Sequence, residues 1–183
     1  NVFSGCTSLK SLTLIGSFPN ISKNFLRGCS SLESVSIDNY RINDTFEICD
    51  DAFYMCSSLA SIQYPKTTKR IGKNAFFCCS SLVGTLDLSL YNELEEIGSQ
   101  AYLGCKSLVG ELSFPKSLIT IGDKAFTECK FYGSLFIPDS VKSIGNHAFF
   151  GCTNFNGMVI IGDGCETIGE SAFARCEGLT GSI

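Results

Sequence analysis

Positive charge is scarce in this chain: 14 Lys and Arg stand against 18 Asp and Glu in 183 residues, for a net charge of −4. Affinity for nucleic acid comes mainly from clustered lysine and arginine, so the composition argues against a nucleic-acid partner. Histidine is scarcer still, with His147 alone. A metal centre would need further ligands beside it and a catalytic base would need a partner. His147 therefore reads as a surface side chain, and no metal or cofactor is expected. No apolar run approaches the roughly 18 residues of a membrane span, and no targeting segment opens the chain. No glycine-rich loop is followed by Lys-Ser or Lys-Thr, which excludes a phosphate-cradling loop of that type. These absences leave no catalytic constellation, and an enzyme is not expected.

Repetition is what the chain has in abundance. The stretch IGNHAFFGCTNF, from Ile144 to Phe155, returns in the same frame at Ile71, Ile97, Ile121 and Ile168, and more weakly at Ile48 and Ile21. Aligned on its cysteine, the frame gives Cys6, Cys29, Cys56, Cys79, Cys105, Cys129, Cys152 and Cys176, at intervals of 23, 27, 23, 26, 24, 23 and 24 residues. A period in that range predicts a solenoid of about seven coils, each burying its apolar side only by stacking on its neighbours. With 44% hydrophobic and 17% charged residues the core can be continuous. The whole chain, 1–183, reads as one solenoid segment, opening and closing inside a repeat, as expected of a piece of a longer array without its caps.

Each repeat has three parts. The first alternates, as in Leu12-Thr13-Leu14, Val35-Ser36-Ile37, Leu86-Asp87-Leu88, Leu112-Ser113-Phe114, Leu135-Phe136-Ile137 and Val159-Ile160-Ile161, and predicts a short strand. Pro65, Pro115 and Pro138 close it, because proline has no N–H for a ladder. The second part has apolar ends, as in Val141-Lys142-Ser143-Ile144, and predicts a shorter strand. The glycine after it (Gly72, Gly98, Gly122, Gly145, Gly169) allows either a positive φ or a close backbone approach. The third sets Ala75, Cys79 and Leu82 at i, i+4 and i+7, the spacing of a short helix of two turns at most. Asp123, Ser99 and Asn146 are its candidate N-caps. Two repeats are longer, around Asp38–Asn43 and Ser89–Glu93, and their extra residues must bulge outward.

Eleven cysteines admit two readings, a disulfide framework or a ladder of buried thiols; eight occupy one repeat position, which favours the ladder. Cys49 and Cys165 read as interior. Cys78 reads as pointing outward and as the thiol most open to reaction. Glu95-Glu96 could pass for a carboxylate pair, but in the repeat frame they fall beside Lys69-Arg70 and predict ion pairs between coils. Two sequons, at Asn20 and Asn43, lend slight support to secretion.

This pattern of strand, proline, Ile-Gly and Ala-Phe-x-x-Cys-x-x-Leu resembles the BspA-like, or Treponema-type, leucine-rich repeats. Phe136 to Phe155 follow it almost residue for residue, with Phe155 in the place of the last leucine. Departures are Leu26 and Tyr102 at the Phe position, Phe25 at the Ala position, and Tyr132 and Phe155 at the last Leu. The resemblance implies a leucine-rich-repeat solenoid of stacked short parallel β-strands with short helical turns. It also implies a surface or secreted adhesin-like protein whose partner is a host or matrix protein. No catalytic residue carries over. A passive spacer projecting another domain is the alternative, and would show only small polar residues along its exposed ladders.

The outward residues of the first strand, coil by coil, are Thr13, Ser36, Gln63, Asp87, Ser113, Phe136 and Ile160, with Met158 one alternation before the last. Phe136, Met158 and Ile160 are the candidate partner-binding patch, with Ser113 and Asp87 on its rim. The other reading is that further coils, or a different register, cover these side chains.

Overall fold

The computed structural model describes residues 1–39 and 45–180. Its organising element is a seven-stranded sheet built from the second part of each repeat. The strands Asn20–Ile21, Phe46–Ile48, Thr68–Ile71, Glu96–Ile97, Thr120–Ile121, Ser143–Ile144 and Thr167–Ile168 lie side by side in chain order, all parallel. One strand per coil gives the solenoid its axis. Ile21, Ile48, Ile71, Ile97, Ile121 and Ile144 point inward and are buried. Outside them Arg70 pairs with Glu96 at 3.3 Å and Lys69 with Glu95 at 3.2 Å, the ion pairs read from the sequence, and Arg70 also pairs with Asp50 at 2.8 Å. These pairs are part-exposed, where each is worth about 0–1 kcal/mol.

The glycine that follows each of these strands is required by proximity and not by φ. A Cβ on Gly122 would sit 2.5 Å from the Ser99 backbone nitrogen, and one on Gly98 2.6 Å from that of Lys73. The same holds at Gly72, Gly145 and Gly169, so each coil's corner rests on the backbone of the coil before it.

The third part of the repeat is not the short helix that its spacing suggests. Asn74 and Cys78 have φ of 54° and 56°, and the left-handed pair recurs four residues apart as Asp51/Met55, Lys124/Glu128 and Ser171/Arg175. The N–H groups divide their allegiance. Those of Ala75, Phe77 and Cys79 close local turns to Gly72, Asn74 and Phe76. Those of Asn74, Phe76 and Cys78 cross instead to the carbonyls of Ser99, Ala101 and Leu103 in the next coil, at 2.8–2.9 Å. A helix would direct the N–H groups past its first turn to its own carbonyls; here the left-handed residues turn alternate groups outward along the axis. Two of the three expected N-caps, Asp123 and Asn146, have the same fate. Asp123 Oδ1 accepts from the Asn146 N–H at 2.7 Å and Asn146 Oδ1 from the Glu170 N–H at 2.7 Å, one coil further on.

Inside, two side-chain ladders run the length of the molecule. Phe53, Phe76, Tyr102, Phe126, Phe149 and Phe173 stack in near-parallel order with centroids 5.1–5.4 Å apart. All eleven cysteines are free thiols. Seven of them, Cys29, Cys56, Cys79, Cys105, Cys129, Cys152 and Cys176, donate from Sγ to a backbone carbonyl one coil earlier, at 3.0–3.3 Å. Cys6 is the exposed thiol, while Cys49, Cys78 and Cys165 are half-buried. Burial pushes the Cys78 thiol up, which removes the activation a reactive cysteine needs.

The first strands form a broken sheet. Ser11–Gly16, Ser34–Asn39 and Ser61–Gln63 pair in parallel, as do Gly133–Ile137 and Phe155–Ile161. Between these two pieces only the bridges Gly84 to Leu108 and Asp87 to Ser113, and the short pair Val109–Gly110 with Lys130–Phe131, remain. The cause is the longer repeat. After Asp87 the chain turns into a 3₁₀ helix over Leu88–Leu90, capped by the Asp87 carboxylate accepting from the Ser89 N–H. Pro65 and Pro138 follow their strands, and the carbonyls of Pro65, Pro115 and Pro138 each accept the N–H three residues on, closing a corner. The other long repeat and the Asn43 sequon fall largely or wholly on residues 40–44, outside the described residues. Asn20 is exposed beside buried Ile21.

Two expectations follow. Gly122→Ala should destabilise the protein by about 2 kcal/mol or more, because backbone cannot move aside as a flexible side chain can; urea unfolding measures it, and an unchanged midpoint would disprove the close-approach account. The second concerns pH. Burial raises the Cys56 thiol to about 12 from an ordinary value of about 9. Below pH 9 both folded and unfolded chains keep this proton. Above it the unfolded state ionises first, so stability should fall between pH 9 and 12, by up to about 1.4 kcal/mol per pH unit for each such thiol. Denaturant midpoints across that range test the sign.

Candidate functional site

Two of the concavities on the face of the broken sheet hold the candidate residues. The first is an apolar groove of about 460 Å³ beside the last two strands of that face. Its wall carries Phe136 and Ile160, which are register partners in the pair Gly133–Ile137 with Phe155–Ile161. Alternation sets them there. Leu135 and Ile137 turn into the core, buried, while Phe136 is 54% and Ile160 44% exposed. Met158, two residues before Ile160 on the same side of its strand, is 50% exposed. Ser113 lines the groove with them.

Asp87 lies one coil further along, bridged to Ser113, and faces a second concavity of about 490 Å³. The sequence residues thus divide between two neighbouring sites: Phe136, Ile160 and Ser113 at the groove, with Met158 on the same face, and Asp87 at the cleft. On the opposite end of this face Thr13, Ser36 and Gln63 stand in register and exposed, as a solvated ladder should.

The cleft sits where the broken sheet has lost its ladder, between the Ser61–Gln63 strand and the 3₁₀ turn. Three phenols converge in it. Tyr102 takes the phenylalanine place in the aromatic stack, so its ring is buried and its hydroxyl emerges at the cleft floor, 3.3 Å from that of Tyr64. Tyr64 stacks on Tyr91 at 4.8 Å between centroids. Desolvation pushes all three phenols above their usual range, so they remain neutral donors and acceptors. Val83, at 60% exposed, and Leu90, at 49%, form apolar lips. Sequence reasoning missed this cleft, although Tyr102 at a phenylalanine position and Tyr91 inside a long repeat were its visible signs.

His147 is half-buried in a turn, its ring 5.4 Å from that of Phe150. Among the described residues no group of three or more His, Cys, Asp or Glu side chains could hold a metal ion, and no helix is long and apolar enough to cross a membrane.

The Tyr102 hydroxyl contributes nothing to the ring stack, so Tyr102→Phe should change stability by less than about 1 kcal/mol, whereas Tyr102→Ala should cost about 3–5 kcal/mol. Denaturant unfolding of the two variants separates packing from the polar role; equal losses would make the hydroxyl structural.

Comparison with known proteins agrees with this architecture. In solved structures, the chain is similar to a leucine-rich repeat protein of T. pallidum, at 26% identity and a TM-score of 0.64, over 97% of this chain and 68% of that one. It is also similar to a leucine-rich repeat protein of Bacteroides ovatus, at 25% identity and a TM-score of 0.52, over 97% of this chain and 55% of that one. A search of curated protein sequences gave no match. The model of the BspA type leucine-rich repeat region matches residues 1–86, 37–129 and 84–182, so together its matches run through nearly every coil. A solenoid whose corners, thiols and rings recur at that family's spacing, and whose sequence its model matches almost end to end, belongs to the BspA-type leucine-rich repeat family.

Proposed function

We propose that this chain is the recognition segment of a surface or secreted adhesin-like protein, and that it binds a host or matrix protein through the broken-sheet face. The family supports a protein-interaction module in general. The observation that carries the finer reading is the exposed pair Phe136 and Ile160 with Met158 beside them. A spacer gains nothing from large apolar side chains on an exposed ladder, whereas such a patch usually marks an interaction site, and aromatic residues and methionine are enriched in interface centres.

The patch also has the anatomy of a docking site. Its apolar centre lies against a groove, its rim is polar at Ser113, and its supporting residues Leu135 and Ile137 belong to the core. Side chains so supported lose little freedom on binding. Replacing Phe136 and Ile160 together with serine should weaken partner binding by about 2 kcal/mol or more, the usual size of a hot spot, with the unfolding midpoint unchanged. Surface plasmon resonance against immobilised matrix proteins measures it. A folded double variant with unaltered affinity would remove the patch from consideration.

A further inference from the structure

We propose that the tyrosine-lined cleft receives a lysine or arginine side chain of the partner protein. The inference rests on the broken-sheet face being the docking surface, and it specifies the chemistry of a second contact on that face.

The hydrogen-bonding balance of the cleft decides the occupant. Each phenol brings one proton and two lone pairs. When Tyr64 and Tyr102 bond to each other, and Tyr91 sits against Tyr64, every proton used consumes a single lone pair, so acceptor sites are left over. Asp87 adds to the surplus, since a carboxylate only accepts. One of its oxygens is taken by the Ser89 N–H at 3.1 Å and the Ser89 hydroxyl, while the other has no partner among the described residues. Ser61, Gln63 and Thr85 can each both give and take, and do not tip the balance. A concavity rich in acceptors is complemented by a group that only donates. Among protein side chains that means ammonium or guanidinium.

Charge points the same way. Among the described residues Asp87 is the only charged side chain lining the cleft, and no Lys or Arg pairs with it. On the unbroken sheet, by contrast, Asp50, Glu95 and Glu96 each have a cation of this chain beside them. An acidic occupant would be repelled, and a neutral one would leave the carboxylate without a counter-charge. The walls match the rest of such a side chain. Leu86, Leu90 and the ring of Tyr91 offer apolar and aromatic surface for an aliphatic stem or a guanidinium plane. The cleft is also continuous with the apolar patch. Asp87 bridges Ser113, and Ser113 lines the groove of Phe136, so the two contacts lie about two strand spacings, roughly 10 Å, apart. One partner surface bearing an apolar side chain and a basic one at that separation fills both.

The test titrates the intact chain, followed by two-dimensional NMR of its tyrosine rings, with two blocked peptides, acetyl-Ala-Arg-Ala-amide and its citrulline counterpart. Citrulline keeps the shape of arginine without its charge. The arginine peptide should shift Tyr64 and Tyr91 signals and bind at least about tenfold more tightly. Asp87→Asn should bring it down to the citrulline level, and because asparagine can still accept from the Ser89 N–H, the 3₁₀ turn should persist. Leu90→Ser, at an exposed lip, should weaken both peptides. Equal affinity for the two peptides, or an unchanged affinity in Asp87→Asn, would overturn the proposal. So would free butylguanidinium binding as tightly as the peptide, which would assign the cleft to a small cation. Phe136→Ser with Ile160→Ser should leave peptide binding intact. If that double variant also leaves partner binding intact while the arginine peptide still binds, the apolar patch fails and the cleft stands.

Discussion

Contact between the backbones of successive coils is the constraint on which the rest of this structure depends. At Gly72, Gly98, Gly122, Gly145 and Gly169 one coil lies so close to the last that no Cβ fits between them. That spacing fixes everything else along the axis. It brings the sheet strands into hydrogen-bonding range, and it sets the rings of the aromatic column 5.1–5.4 Å apart. It also puts each ladder thiol within reach of a carbonyl one coil earlier, which satisfies both a weak donor and a buried acceptor. The left-handed residues of the turns answer the same demand, since they turn alternate N–H groups toward the next coil.

The two sides of the solenoid use this constraint differently. On the side of the seven-stranded sheet every coil is held to the next and the outward charges compensate one another in ion pairs. On the other side the ladder is broken, and the break opens a cleft holding a phenol at the phenylalanine position and an acid with no cation beside it among the described residues; beyond the break, an intact strand pair turns large apolar side chains outward by alternation. Recognition in a repeat protein of this kind lives in the departures from the repeat, because the residues that define the repeat are the buried ones.

This division explains what the sequence could and could not tell. The architecture was legible because each coil repeats the same buried set; Ile71, Ala75, Phe76 and Cys79 recur with little change, and their recurrence states the fold. The alternation that places Phe136 and Ile160 outward was legible for the same reason, since a strand period of two leaves no choice of side. The turn was not. The i, i+4, i+7 spacing of Ala75, Cys79 and Leu82 is the same in a helix and in a chain of left-handed turns, and only hydrogen bonds to a neighbouring coil, absent from a local reading, separate them. The tyrosine cleft was hidden for a further reason: Tyr64, Tyr91 and Tyr102 belong to different parts of consecutive repeats, and nothing in their spacing brings them together until the coils are stacked.

The alignment of the bonds between coils also sets how the molecule would respond to tension along its axis. Hydrogen bonds in the sheet and in the turns both run along the axis, so a pull on the two ends opens them one coil at a time, as a zipper does, instead of shearing many at once. Each coil of about 24 residues would release roughly 80 Å of slack at full extension. The array would act as a shock absorber that yields in small steps, with the coils not yet peeled still folded and still presenting their exposed face.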